Sequence, residues 1–107
     1  QITELTDISQ GLVYYSMTIQ NQNISQIGKQ GIRQLLASFK VIDEKYSERL
    51  ENYDLNPSQS LFCILYHIGK SDEEVMQILQ YSLSNIRVRK SRIKSDTGAE
   101  SFDDIIR

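Results

Sequence analysis

Five of the twelve Lys and Arg residues of this 107-residue chain lie within eight consecutive positions, and no acidic residue interrupts them. They are Arg87, Arg89, Lys90, Arg92 and Lys94. The chain as a whole has a formal net charge of −2, so the rest of the sequence is acidic. Guanidinium and ammonium groups bind phosphates and base edges, and one concentrated basic helix is typical of proteins that bind nucleic acid.

A second pair that could do chemistry is Cys63 and His67, which lie four positions apart. On a helix this spacing places a thiol beside an imidazole, an arrangement suited to metal binding or nucleophilic attack. A structural zinc site usually takes four ligands, however, and the chain has one Cys and one His. We therefore interpret Cys63 as a small core residue and His67 as a residue at the core boundary.

The acidic run Asp72, Glu73 and Glu74 resembles a carboxylate cluster for a metal ion. The start of a helix explains it better, because Ser71 and Glu74 form a capping-box pattern and acidic residues suit the positive end of the helix dipole. Enzymes need convergent acid, base or nucleophilic groups, which the sequence does not supply. The sequence therefore predicts no catalytic residue, no metal, no cofactor and no small-molecule substrate.

The composition fits one domain, or one small domain with a helical extension, because 39% of the residues are hydrophobic. The longest apolar run, 61–68, is far shorter than the roughly 20 residues of a membrane span. A single cysteine agrees with a reducing compartment, so we expect a cytoplasmic location. The chain begins at Gln1 rather than methionine, and we interpret it as part of a longer parent, one that a membrane tether could precede.

Apolar residues recur at helical spacing along most of the chain, which predicts an all-α fold. The first helix is expected over about residues 4–20, followed by helices at 25–40 and 43–53. Apolar residues of the first helix alternate in steps of three and four, the spacing of a coiled-coil seam: Leu5, Ile8, Leu12, Tyr15 and Ile19. This pattern has two interpretations, packing within the domain or a seam between two copies, and the sequence leaves both open.

The second half of the chain carries clear helix-start signals. A capping box from Asn56 to Gln59, with Pro57 at the first helical position, predicts a buried helix that ends at Gly69. The Ser71 box opens a short helix, Ser82 caps a longer one, and a terminal amphipathic turn contains Phe102, Ile105 and Ile106. In the longer helix, Ile86 and Ile93 are seven residues apart and are expected to face the core.

A short capped helix, a tight turn and a longer basic helix form the pattern of a helix-turn-helix, whose second helix enters the major groove of DNA. Arg87 is the strongest candidate for a base contact, because arginine pairs bidentately with guanine. The base-contact candidates are Ser84, Asn85, Arg87, Val88 and Ser91. The phosphate-contact candidates flank them and are Arg89, Lys90, Arg92 and Lys94.

From Leu55 onward these motifs resemble the LuxR/GerE-type DNA-binding domain. The segments that carry the resemblance are Leu55-Asn56-Pro57, Ser71 to Val75, Ser82 to Ile86, and Arg89 to Ile93. The segments KSDEEVMQIL, IRVRKSRIK and FDDII are similar to the output domain of bacterial regulators that place this module behind tetratricopeptide repeats, a membrane span and a coiled coil. The chain departs from the family at Gln59, Met76 and Arg89, where glutamate, alanine and histidine are customary.

The resemblance implies N-terminal helices followed by a winged-helix-like, tetrahelical module, with a helical linker or dimerisation region at 1–54 and the DNA-binding domain at 55–107. We expect a transcriptional regulator's output domain that binds double-stranded DNA as a homodimer, with the first helix as the seam. The alternative from another class is a helical protein-interaction module that docks an acidic partner through the same basic helix.

Overall fold

The computed structural model describes residues 2–107, with side chains from Leu5 onward, and this part of the chain is all-α. Helices account for most of it, and no strand occurs among the described residues. The helices are α1 (Ile2–Ile19), α2 (Gly28–Ile42), α3 (Glu44–Glu51), α4 (Pro57–His67), α5 (Asp72–Leu79), α6 (Leu83–Thr97) and α7 (Phe102–Ile106). None of the helices described is both long and apolar enough to cross a membrane.

In the second half of the chain, the capping residues predicted the helix starts correctly. Both predicted capping boxes are present, from Asn56 to Gln59 and from Ser71 to Glu74. The prediction was less accurate for α2, which begins at Gly28 instead of residue 25. Gly28 has a φ of +73°, a left-handed conformation that a right-handed helix cannot continue through, so the helix starts at this residue.

Helices α1 and α2 lie so close together that their contact requires a glycine. A Cβ atom built on Gly11 would lie 1.9 Å from the carbonyl oxygen of Gln34 and 3.0 Å from the Cβ of Ser38. In the isolated sequence Gly11 reads only as a residue that weakens its helix by about 1 kcal/mol relative to alanine. In the fold it is the point where the two backbones meet.

A single hydrophobic core joins the two halves of the chain. The centre is α4, in which the five consecutive residues 61–65 are buried, as the apolar sequence of this helix predicted. Residues of the first half, among them Ile24, Leu35 and Phe39, belong to the same cluster. The backbone N–H of Ile24 also donates to the carbonyl of Ile78 at 2.9 Å. The proposed division at residues 54 and 55 stays a prediction.

Cys63 lies in the middle of this core and is fully buried. Burial raises the pKa of its thiol to about 12, because the protein interior disfavours the thiolate. Cys63 therefore has the environment of an inert packing residue, as the sequence interpretation stated.

The C-terminal helix α7 is held to α3 and α4 by polar contacts with its backbone. The hydroxyl of Tyr46 donates to the carbonyl of Ile105 at 2.8 Å, and Arg49 donates to the carbonyls of Asp104 and Arg107. His67 stacks on the Tyr46 ring at 3.6 Å, and its Nδ1 lies 2.6 Å from the Ile106 carbonyl oxygen. Since a carbonyl only accepts, Nδ1 is the donor in this contact.

The predicted seam of α1 divides between two environments. Ile8 and Tyr15 are half-buried, and the Tyr15 ring lies 5.8 Å from the ring of Phe39 in α2. Leu5, Leu12 and Ile19 are 64%, 45% and 50% exposed. Packing within the chain therefore accounts for Ile8 and Tyr15, whereas the other three residues of the predicted seam are exposed to solvent.

We predict that Gly11→Ala destabilises the protein although alanine is the better helix former. The added methyl group forces α1 away from α2, and overpacking of this kind costs about 1–3 kcal/mol. Urea unfolding followed by circular dichroism should show a lower midpoint with an unchanged slope. The matched control is Ser9→Ala on the exposed side of α1, which should be neutral or slightly stabilising. A Gly11→Ala protein as stable as the wild type would contradict the close contact.

Candidate nucleic-acid interface

Helices α5 and α6 are joined by a three-residue turn. Gln80 ends α5 in the left-handed conformation, with a φ of +60°, and Tyr81 and Ser82 follow it. The hydroxyl of Ser82 accepts a hydrogen bond from the backbone N–H of Asn85 at 3.2 Å, which caps α6 as predicted. The chain thus forms two consecutive helices separated by a tight turn, with the longer and more basic helix second.

Two isoleucines fix α6 to the rest of the protein. Ile86 and Ile93 are the buried residues of this helix, as their seven-residue spacing predicted. All five base-contact candidates lie on the exposed part of α6, and Val88 is 57% exposed. The steps from Ser84 to Arg87 or Val88, and from there to Ser91, are three or four residues long. These side chains therefore form one continuous exposed strip on α6.

The four phosphate-contact candidates differ in how the fold uses them. Arg92 and Lys94 are exposed, as is Arg87, and none of the three forms an ion pair with a described residue. Arg89 is half-buried, and its guanidinium lies 4.1 Å from the centre of the Tyr81 ring. Its Nε donates to Oδ1 of Asn85 at 2.8 Å. This cation and one of the base-contact candidates are therefore engaged with each other.

Lys90 is engaged on the inner side of α6. Its Nζ lies 3.0 Å from Oδ1 of Asp72 and 4.5 Å from the centre of the Tyr66 ring. The hydroxyl of Tyr66 donates to the same carboxylate oxygen at 2.6 Å. These three side chains connect α4, α5 and α6. Lys90 was a phosphate-contact candidate by sequence, and the structure gives it a partner inside the protein.

This network lowers the pKa of the Asp72 carboxyl below its ordinary value of 3.8. The hydrogen bond from Tyr66 is the largest cause, and the hydrogen bond and charge of Lys90 add to it. Burial, with smaller contributions from Asp72, raises the pKa of the Tyr66 hydroxyl, so Tyr66 stays a neutral donor. Asp72 therefore stays ionised and pairs with Lys90 of α6.

The start of α4 lies beside the first turns of α6 and forms a groove with it. The groove is lined by Asn56, Ser58, Gln59, Phe62, Asn85, Val88, Arg89, Arg92 and Ile93. Gln59 donates to Oδ2 of Asp96 at 3.0 Å, a contact with the far end of α6. The sequence analysis placed Asn56 and Gln59 in a capping box and in the family comparison, and it named none of Asn56, Ser58, Gln59 and Tyr81 as a site residue. Asn56, Ser58 and Gln59 lie more than 20 residues before α6, so no local sequence signal links them to this helix.

No protein-family model, no curated protein and no solved structure matches the chain. Its function must therefore be inferred from its own residues and their geometry.

We predict that Asp72→Asn and Lys90→Met each lower stability by about 0.5–1 kcal/mol at neutral pH, and that the two effects are coupled. The lowered pKa means that the ionised carboxylate stabilises the folded protein above pH 3.8 and loses that effect as the pH falls through the folded value. Urea unfolding of the double-mutant cycle at neutral pH, and again well below pH 3.8, should show the coupling in the first case only.

The control for this cycle is Glu73→Gln, which removes a neighbouring negative charge from the same helix start without touching Lys90. If Glu73→Gln lowered the stability as much as Asp72→Asn does, the helix dipole alone would explain the effect. That result would contradict a role for the hydrogen bonds of Asp72 with Tyr66 and Lys90.

Proposed function

We propose that this chain is the DNA-binding output domain of a transcriptional regulator and that α6 enters the major groove of double-stranded DNA. The observation that carries the proposal is the orientation of α6: Ile86 and Ile93 bind it to the core, and its strip of exposed side chains contains Arg87. An α-helix fits the width of the major groove, and a helix held from behind presents its outer side to the bases.

Six of the exposed side chains of α6 have contacts with DNA that suit their chemistry. Arg87 donates to O6 and N7 of a guanine, the exposed Val88 contacts a thymine methyl group, and Ser84 and Ser91 form single hydrogen bonds. Arg92 and Lys94 bind phosphates on either side of the groove. Lys90 stabilises the position of α6 instead of binding a phosphate, because its ammonium group already pairs with Asp72.

The sequence likeness also supports this proposal. The segments that resemble the LuxR/GerE-type domain coincide with α4 to α7, so the likeness in sequence and the arrangement of helices concern the same residues. The proposal implies a cytoplasmic location, because chromosomal DNA in a bacterial cell lies in the cytoplasm.

We also propose that the domain binds DNA as a homodimer through the exposed side of α1. Leu5, Leu12 and Ile19 are seven residues apart and lie along one line of the helix. Residues 8–28, which include Leu12 and Ile19, contain no charged side chain, so two copies of this part of the surface can meet without burying a charge. A two-fold pair is the usual way in which helix-turn-helix domains double the length of DNA they read.

We predict that the protein selects a short motif from random duplex DNA and that its affinity falls steeply with salt. Arg87→Ala should raise Kd for the selected site by about 5- to 150-fold and relax preference at one base pair. Lys94→Ala should weaken all sequences alike and reduce the salt slope by about 0.9. Fluorescence anisotropy at several salt concentrations measures both the affinity and its salt dependence.

The control for charge alone is Lys45→Ala on α3, an exposed lysine outside the interface, which should bind DNA like the wild type. Binding that is insensitive to salt, or the absence of binding at low salt, would contradict the proposal. Tight binding of an acidic protein that duplex DNA does not displace would favour the protein-interaction alternative.

For the dimer, we predict that Leu12→Glu weakens self-association by at least about tenfold, because the interface would then bury a charge. Val13→Glu places the same charge one residue away, about 100° around the helix, and should have a smaller effect. Sedimentation velocity over a range of concentrations compares the two variants with the wild type. Equal effects of the two substitutions, or a monomeric wild type, would contradict the proposed seam.

A further inference from the structure

Arg89, Asn85 and Tyr81 form a small assembly at the start of α6. Nε of Arg89 donates to Oδ1 of Asn85 at 2.8 Å, one helical turn away. The guanidinium carbon of Arg89 lies over the Tyr81 ring, 4.1 Å from its centre. Asn85 is the third residue of the helix and is exposed, in the part of a recognition helix that usually contacts bases.

The chemistry of arginine determines which way the Asn85 amide points. A guanidinium has only N–H donors, so the atom of Asn85 that faces it must be the oxygen. The amide nitrogen then lies on the opposite branch of the side chain, with two hydrogens available for other acceptors. The ring of Tyr81 holds the guanidinium in place, because a cation is attracted to the face of an aromatic ring.

We propose that Arg89 is a positioning residue that makes Asn85 a donor and thereby directs it to guanine instead of adenine. This inference rests on the proposed function. An asparagine reads adenine by turning its oxygen and its nitrogen to the same base edge, where N6 donates and N7 accepts. Here the oxygen is turned toward Arg89. The amide N–H₂ group can still donate to N7 and O6 of guanine, which are both acceptors.

The test is a selection of bound sequences from random duplex DNA with the wild type and three variants. In the wild type, guanine should dominate at the position that loses its preference in Asn85→Ala. In Arg89→Met, the ratio of adenine to guanine at that position should rise roughly tenfold, because the amide oxygen is released. The matched control, Arg92→Met, removes a cation from the same helix without touching Asn85, and should weaken binding with the ratio unchanged.

The assembly can also be measured without DNA. In nitrogen-15 NMR spectra of the free wild-type protein, the Arg89 Nε–H should exchange slowly with water, and this protection should be lost in Asn85→Ala while the helical circular dichroism signal stays the same. A protected Nε–H in the wild type that persists in Asn85→Ala would contradict the hydrogen bond.

The outcomes separate this inference from the proposed function. Selected DNA with adenine at the Asn85 position in the wild type, or with the same base ratio in Arg89→Met, would overturn the inference and leave the DNA-binding role in place. Failure of the wild type to select any DNA would overturn the proposed function together with the inference.

Discussion

The burial of Ile86 and Ile93 is the interaction on which the candidate interface depends. Most other side chains of α6 are polar, and five of them are cations that repel one another, so these two isoleucines are the apolar contacts that bury the helix against the core. Complete burial of an isoleucine side chain contributes about 1.5–3 kcal/mol, and the two side chains lie two helical turns apart on one side of the helix. That pair of contacts fixes both the position of α6 and the side it presents.

The remaining contacts of α6 divide its charges into two groups. On the inner side, Asp72 and the ring of Tyr66 hold Lys90, and the ring of Tyr81 holds Arg89. These contacts lower the repulsion within the cluster and order the helix. On the outer side, Arg87, Arg92 and Lys94 are exposed without an ion-pair partner among the described residues. The same run of basic residues therefore both stabilises the helix and leaves cations exposed for a ligand.

The helices of the first half provide support of a different kind. Gly11 allows α1 to approach α2 closely, and α2 in turn contributes Leu35 and Phe39 to the core that carries α4. Lys70 donates to the carbonyl of Ile19 and to the side chain of Asn21, which ties the end of α1 to the loop before α5. Through these contacts the exposed line of α1 has a defined position relative to the basic helix.

The sequence alone determined the features that depend on neighbouring residues. The helix starts at Pro57, Asp72 and Leu83 follow from capping patterns that each span four residues. The buried positions Cys63 in α4, and Ile86 and Ile93 in α6, follow from the apolar pattern of each helix. Tertiary structure decided the contacts between residues far apart in the chain, such as Asp72 with Lys90 and Gly11 with Gln34. The helical period relates only residues a few positions apart, whereas these pairings arise from how whole helices pack. For the same reason the sequence could list the cations of α6 but could not tell which of them the protein itself engages.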